Sequence, residues 1–495
     1  MGQRTVTAEP SVDHLGRHDS WEGVHAVVAG LGASGYAAAD ALVQVGARVT
    51  ILDDGEGDLL RERAGILEVL GAEVRLGPGA TATLPAGAAL LVPFPGLPPR
   101  TPIVAEAAQA RDVAVWSEPE LAWRLREPGA APWLAVTGTN GKTTTVQMLE
   151  SILAAAGLRA PAVGNIGVPV TEAVMDPAGY DVLAVELSSF QLHFARSLAC
   201  EASAVLNVAD DHLDWHGGPA DYARDKGRIY EHVERACVYN VDDPATERLV
   251  RDADVQEGAR AIGFTLGVPS VGMVGMVDDV LADRAFVPER TTSAAELATL
   301  GDLAGPAGEP PAPHVVANAL AAAALARAHG VPPVAVRDGL RAYQPGAHRI
   351  QQIAEVDGVT FVDDSKATNP HAAIGSLLAY PSVVWVAGGQ AKGTTFDGLV
   401  ERTGSRLRAA VLIGADRAVI RDALRRHAPE VPVVEVDAGK DVLMDRVVDA
   451  AVRFARPGDT VLLAPGCASL DQFTSYAERG DSFAAAVARH AATRR

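Results

Sequence analysis

The residues Val136-Thr137-Gly138-Thr139-Asn140-Gly141-Lys142-Thr143-Thr144-Thr145 have the types and spacing to bind phosphate. An apolar run enters a glycine turn and a helix leaves it. Backbone N–H groups of Gly138, Thr139, Asn140 and Gly141 then face the phosphate oxygens. The Lys142 ammonium reaches the β- and γ-phosphates, and the hydroxyl of Thr143 or Thr144 reaches Mg2+. Val136 occupies the place of the first glycine of the common phosphate loop. ATP is the expected ligand. Downstream, residues 183–187 run Leu-Ala-Val-Glu-Leu, so Glu186 ends an apolar strand with a hard oxygen ligand suited to Mg2+. The loop 207–216 gathers Asp210, Asp211, His212, Asp214 and His216. Carboxylates with an occasional imidazole suit Mg2+ or Mn2+ rather than structural zinc, although a solvated acidic loop reads about as well in isolation. Three more polar stretches, 363–370, 388–393 and 464–473, each follow an apolar run, and Lys366 and Lys392 bring to them the positive charge an acidic substrate needs. His348-Arg349 stands at the entrance to this last region and could reach a phosphate.

The elements that must position these groups are alternating strands and helices. Residues 25–29 form a short apolar strand, Gly30-x-Gly32-x-x-Gly35 a glycine turn into an Ala-rich helix, and 48–52 a second strand ending in Asp53 and Asp54. That is the opening of a Rossmann-like unit. Glu127-Pro128-Gly129-Ala130-Ala131-Pro132 reads as a linker. A second α/β unit opens with a strand at 133–136, with further strands near 181–185 and 204–206. A boundary near Tyr343-Gln344-Pro345-Gly346 precedes apolar strands at 359–362, 383–387, 410–413, 433–436 and 460–464. The expectation is an α/β chain of three domains: a disordered tail at 1–19, a Rossmann-like domain at 20–126, a central phosphate-loop domain with a parallel sheet at 127–345, and a C-terminal Rossmann-like domain at 346–495. The Gly/Pro/Ala-rich stretch 301–313 reads as an internal loop, and 267–313 is longer than the pattern requires.

Composition narrows the partners. The net charge of −19 argues against nucleic acid or an anionic membrane as the main partner. With 48% hydrophobic and 21% charged residues, the chain is expected to fold. No apolar run reaches the ~18 residues that span a bilayer, and residues 1–20 lack the apolar core of a secretory signal. Cys200, Cys237 and Cys467 share no metal or redox spacing, as in a reducing, cytoplasmic compartment. Of 43 cations only Lys142, Lys226, Lys366, Lys392 and Lys440 are lysines.

Gly-Thr-Asn-Gly-Lys-Thr-Thr-Thr (138–145), Asp-Asp-Ser-Lys-Ala-Thr-Asn (363–369) and Cys-Ala-Ser-Leu-Asp-Gln-Phe (467–473) resemble the motifs of the Mur ligase family, in order and over about residues 20–490. Within that family the resemblance is to the enzymes that add D-glutamate to UDP-N-acetylmuramoyl-L-alanine (UDP-MurNAc-L-alanine) in peptidoglycan precursor synthesis. It implies that ATP phosphorylates the acceptor carboxylate and that the amine of D-glutamate attacks the acyl phosphate, releasing ADP and phosphate. Lys142 would hold the ATP phosphates. Thr143, Glu186 and His212 match magnesium positions. Lys226 matches a lysine that CO2 converts to N6-carboxylysine, a carbamate bridging to a second Mg2+. Asn318 matches an adenine contact, and Arg349 and Asp364 match ATP-site residues of the last domain. Asn165, in Gly164-Asn165-Ile166-Gly167, matches the muramyl loop. Lys366, Thr368, Lys392, Ser469, Leu470 and Tyr476 match positions around D-glutamate. Gly32, Ser34 and Asp53 match the uracil-nucleotide side of the first domain, whose glycine turn read alone would point to NAD.

The sequence departs from the family at Asp54-Gly55, Phe94-Pro95-Gly96 and Gln390. The alternative is a sister ligase that adds a different amino acid or uses a folate-like acceptor, although the Asp-Asn-Pro-Arg signature of the diaminopimelate-adding enzyme is absent. The resemblance carries the further expectations of small-molecule substrates alone, no nucleic acid, no membrane insertion, and a monomer.

Overall fold

Short runs of Val, Ala, Leu and Ile that end in Gly, Asp or Pro become strands buried on both faces, the pattern of parallel sheets covered by helices. The computed structural model describes residues 12–110, 112–304 and 311–493. The first sheet contains β1 (His25–Ala29), β2 (Arg48–Asp53), β3 (Glu73–Leu76), β4 (Leu90–Pro93) and β5 (Ala114–Val115). Its order is β3-β2-β1-β4-β5, parallel throughout. The order reverses beside β1, so the crevice after β1 is where such a sheet takes a ligand. Gly35 lets the helix Ala33–Gln44 approach the turn, because a Cβ there would stand 1.8 Å from the Gly30 carbonyl oxygen.

The expected disordered tail at 1–19 is corrected over 12–19. Residues 1–11 lie outside the described residues, but Val12–His14 is a 3-10 turn, and Val12, Leu15 and Trp21 are buried in the first core. These apolar side chains are scattered through a polar stretch, which hides them from a composition reading. Each buried one contributes roughly 1.5–3 kcal/mol towards holding the segment against the first sheet's core.

The second sheet contains β6 (Trp133–Thr137), β7 (Ala162–Gly164), β8 (Leu183–Glu186), β9 (Ala202–Val205), β10 (Ala236–Asn240), β11 (Arg260–Phe264), β12 (Met273–Val277), β13 (Val280–Asp283) and β14 (Ala295–Thr299). Their order is β14-β13-β12-β11-β10-β9-β6-β8-β7. β13 and β14 pair antiparallel, so much of the long 267–313 segment extends the sheet as a meander. Asp283 is fully buried there and accepts from Arg327 Nε at 2.9 Å, which ties the extension to helix Pro313–His329. That helix is buried along Ala319–Ala326, where small side chains allow close packing against helix Lys142–Ala155.

The third sheet contains β15 (Gln351–Val356), β16 (Val359–Asp363), β17 (Val383–Gly388), β18 (Leu407–Ile413), β19 (Val433–Glu435) and β20 (Thr460–Leu463). Their order is β15-β16-β20-β17-β18-β19, with only β15 antiparallel to its neighbour. The chain divides into two compact units. One holds the first and second sheets, up to Val208 and again over Trp215–Tyr343. The other holds the third sheet, from Gln344 onward, together with Ala209–Asp214. Among the described residues no helix is long and apolar enough to cross a membrane.

Candidate active site

In the first unit, β6 delivers the chain into the turn, and Gly141 caps helix Lys142–Ala155 with a left-handed φ of 83°. A side chain at 141 would also meet Asn318, since a Cβ there would lie 2.4 Å from Asn318 Oδ1. Asn318, expected at adenine, thus packs on the turn itself. The loop is tied from the β9 side: Asn140 N donates to Asn207 Oδ1 at 2.9 Å, Asn207 Nδ2 donates to Asn140 O at 3.1 Å, and Thr139 N donates to Asn207 O at 3.0 Å.

Two lysines converge on this turn. Lys142 Nζ donates to Gly138 O at 2.7 Å and Thr139 O at 3.0 Å. Lys226, only 1% exposed, donates from Nζ to the same Gly138 O at 2.9 Å. Its ammonium also lies 4.6 Å from the centre of the Tyr222 ring, and the Tyr222 hydroxyl is 3.0 Å from Thr139 Oγ1. Two ammonium groups within reach of one carbonyl oxygen repel each other, so the arrangement calls for anionic charge.

Glu186 ends β8 beside β6, paired in register with Val136. It is 1% exposed, and its Oε1 accepts from Asn165 Nδ2 at 2.8 Å. Among the described residues its Oε2 is buried with no hydrogen-bond partner. A buried carboxylate oxygen is costly to leave unsatisfied. The donor set therefore fits a hard divalent cation beside a phosphate loop. Thr143 follows Lys142 in the first turn of the helix.

Asp225, next to Lys226, anchors helix Pro219–Gly227 from behind. Burial pushes its carboxyl up, but hydrogen bonds from His193 Nδ1 (2.8 Å) and His216 Nδ1 (2.7 Å) outweigh this and hold it down at about 2. His216 Nε2 lies 3.0 Å from Ser189 Oγ. Among the described residues this trio alone brings three metal-capable groups within 4.8 Å, yet both imidazoles are spent on one carboxylate oxygen. His212, expected beside Glu186, sits on Ala209–Asp214 and is grouped with the second unit.

In the first sheet, Asp53 braces the glycine turn rather than pointing away from it. Its Oδ2 accepts from Leu31 N at 2.7 Å and its Oδ1 from Gly55 N at 2.8 Å. Asp54 accepts from the backbone N of Thr81 at 3.1 Å, which gives the Asp54-Gly55 departure a structural use. Gly32 caps helix Ala33–Gln44, with Ser34 in its first turn. Phe94 fills the space over Gly30 and Gly96.

In the second unit, β16, β20 and β17 are adjacent, so the three polar loops line one end of the sheet. Gln390 and Ala468 bridge two of them, with N–H···O distances of 2.9 and 3.0 Å. Lys366 Nζ stands 3.9 Å from the Tyr476 ring centre. Lys392 holds a left-handed φ of 51°. Ser469 is buried and Leu470 exposed; Thr368 is half-buried. Burial raises the Asp364 carboxyl to about 7, against a hydrogen bond from Ser376 Oγ and the positive charge of Arg349.

The sequence reading missed Arg479. Its guanidinium is 1% exposed and donates to Ser365 Oγ (2.9 Å), Ser365 O (2.9 Å), Cys467 O (3.1 Å) and Gly388 O (3.4 Å). One side chain thus joins the loops after β16, β20 and β17. In a chain with so many arginines nothing in its spacing marks it. Asn207, Tyr222 and His193 were missed because their partners are distant in sequence. Lys440, outside every motif, makes a surface ion pair with Glu478 at 2.6 Å.

A phosphate loop with a buried acidic strand beside it, followed by a separate parallel-sheet unit, defines a class of nucleotide-binding α/β proteins. A family model described as Mur ligase middle domain matches residues 136–326, and one described as Mur ligase, glutamate ligase domain matches 348–467. The chain belongs to the Mur ligase family and is an ATP-dependent ligase. Among curated relatives, UDP-N-acetylmuramoylalanine–D-glutamate ligase of Streptomyces avermitilis is 61% identical over 468 residues, 94% of this chain and 98% of the relative. The enzyme of the same name from Thermobifida fusca is 54% identical, covering 93% and 97%. Among solved structures, UDP-N-acetylmuramate–alanine ligase MurC from Thermotoga maritima superposes with a TM-score of 0.54 at 17% identity, covering 95% and 99%. MurF ligase of the same organism, in complex with ADP, gives 0.54 at 16%, covering 99% and 100%. These two likenesses speak to the fold.

Proposed function

We infer that the chain joins D-glutamate to UDP-MurNAc-L-alanine, spending ATP and releasing ADP and phosphate, in peptidoglycan precursor synthesis. The names of its relatives support the substrates. The observation that carries the chemistry is the convergence of Lys142 and Lys226 on Gly138 O, one strand from the unpartnered Glu186 oxygen.

In this reading Gly138, Thr139, Asn140, Gly141, Thr143 and Thr144 bind the ATP phosphates with Lys142, and Asn318, Arg349 and Asp364 complete the nucleotide site. Thr143, Glu186, His212 and Lys226 hold magnesium at two sites. When bound, Mg2+ neutralises charge on the transferring phosphoryl group. Lys226 serves as its N6-carboxylysine, which turns a like-charge clash with Lys142 into attraction. An arginine could not take this role, because it offers no neutral amine to react with CO2. Asn165 orients Glu186 and meets the muramyl group. Gly32, Ser34 and Asp53 bind the uracil nucleotide in a first domain at 20–126. Lys366, Thr368, Lys392, Ser469, Leu470 and Tyr476 bind D-glutamate in a last domain at 346–495, with the ATP-binding domain at 127–345 between them. The enzyme works as a cytoplasmic monomer.

The acceptor carboxylate oxygen attacks the γ-phosphorus and ADP leaves. The glutamate amine then attacks the carbonyl carbon and phosphate leaves with one former carboxylate oxygen. Acceptor labelled with 18O in that carboxylate therefore yields phosphate carrying one 18O. Unlabelled phosphate overturns the acyl-phosphate route.

A further inference from the structure

Segment Ala209–Asp214 follows β9 and is grouped with the C-terminal unit. It carries His212, whose φ of 52° is an uncommon left-handed backbone for a residue with a side chain. The neighbouring Asp211 faces the imidazole. It is 8% exposed; its Oδ1 lies 3.6 Å from His212 Nε2, and its Oδ2 accepts from Asn369 Nδ2 at 3.4 Å. Asn369 is itself 6% exposed and already oriented. It caps helix Pro370–Leu378, its Oδ1 accepting from Ala372 N at 2.9 Å. With the amide oxygen committed to the cap, the amide nitrogen is turned towards Asp211. Asn369 also ends the loop 363–369 that carries Lys366 and Thr368.

We propose that Asn369 and Asp211 form a latch that sets the position of the His212 imidazole, making Asn369 a positioning residue for the magnesium-dependent step. The proposal rests on the reading of His212 as a metal ligand. A carboxylate beside a ligating imidazole fixes the ring's orientation, and removing such partners weakens metal binding about 10–100-fold. The latch fastens that carboxylate to the loop that also carries the amino-acid-site lysine, so ordering of one loop favours ordering of the other.

A polarity swap tests this. Asn369→Asp keeps a good helix cap but sets two carboxylates against each other. Adding Asp211→Asn restores one donor and one acceptor with their direction reversed. Hydrogen exchange of peptides spanning 209–214, in the ligand-free protein, reads the latch. The Mg2+ concentration giving half-maximal ADP release reads its effect on the site. Asn369→Asp is expected to speed exchange and raise that concentration, each by about tenfold, equivalent to about 1.4 kcal/mol, with an unchanged melting temperature. The double variant is expected to return both to within about twofold of the wild type. Unchanged exchange in Asn369→Asp, or a double variant as impaired as the single, overturns the latch. Faster exchange with an unchanged Mg2+ midpoint overturns its link to the metal. His212→Ala separates the proposal from its premise: an unshifted Mg2+ midpoint there removes His212 as a ligand, while the exchange data still decide the latch.

Discussion

Lys142 and Lys226 aim two ammonium groups at the carbonyl of Gly138, and the account of this site turns on that pair. If Lys226 works as a carbamate, Lys226→Arg keeps the charge and loses activity by at least about 100-fold. Acetate added to Lys226→Ala restores part of the rate by supplying the missing oxygens. Wild-type turnover in Lys226→Arg would refute the carbamate. Burial raises the Asp364 carboxyl to about 7. The unfolded chain releases this proton near pH 4 and the folded one near 7. Between those values the folded state binds the extra proton, so stability falls as pH rises, by at most about 1.4 kcal/mol per pH unit, and levels off above 7. Denaturant titrations of the wild type and Asp364→Asn across pH 4–8 should differ by that slope. Parallel curves would show that the carboxyl ionises normally. Residue chemistry was also the most legible level of the sequence. Lysine is rare here, and the four lysines inside motifs all line one of the polar loops or their helices, whereas Lys440 pairs with Glu478 at the surface.

Elements decide what those residues meet. Gly141 combines a left-handed φ with the pressure of Asn318 on its α-carbon. Gly141→Ala is therefore expected to raise the KM for ATP at least about tenfold, because the turn must open to admit a Cβ. An unchanged KM would show that the turn tolerates it. Arg479 gathers three loops through backbone carbonyls and Ser365. Arg479→Lys keeps the charge but not the planar fork, so the KM for D-glutamate should rise about tenfold with little change in that for ATP. An unchanged KM for D-glutamate would refute this role, and a lowered melting temperature would mean general unfolding instead. Strands ending in Gly, Asp or Pro were legible because both faces are apolar. β15 was not, since Gln351-Gln352-Ile353-Ala354-Glu355-Val356 alternates and lies at an edge. The adjacency of β16, β20 and β17 depends on crossovers, but the polar loop after each strand marked the ligand-facing end. The cap at Asn369 and the buried Arg479 depend on partners far away in sequence, which no local pattern records.

At the scale of the whole molecule, three sheets fall into two compact units, and the candidate ATP residues are distributed over both: Lys142 and Asn318 on one, Arg349 and Asp364 on the other. If the proposed assignment of Arg349 and Asp364 to ATP holds, a protein ending at Tyr343 is expected to release no ADP. The net charge of −19 leaves the few lysines of the motifs as the cations that the proposal assigns to anionic substrates. A coupled ADP-release assay with UDP-MurNAc-L-alanine as acceptor decides which amino acid the enzyme adds. D-Glutamate, meso-diaminopimelate, L-lysine and L-glutamate are compared at equal concentration. The account predicts ADP and a glutamylated product with D-glutamate alone; turnover with another of these amino acids and none with D-glutamate would contradict it.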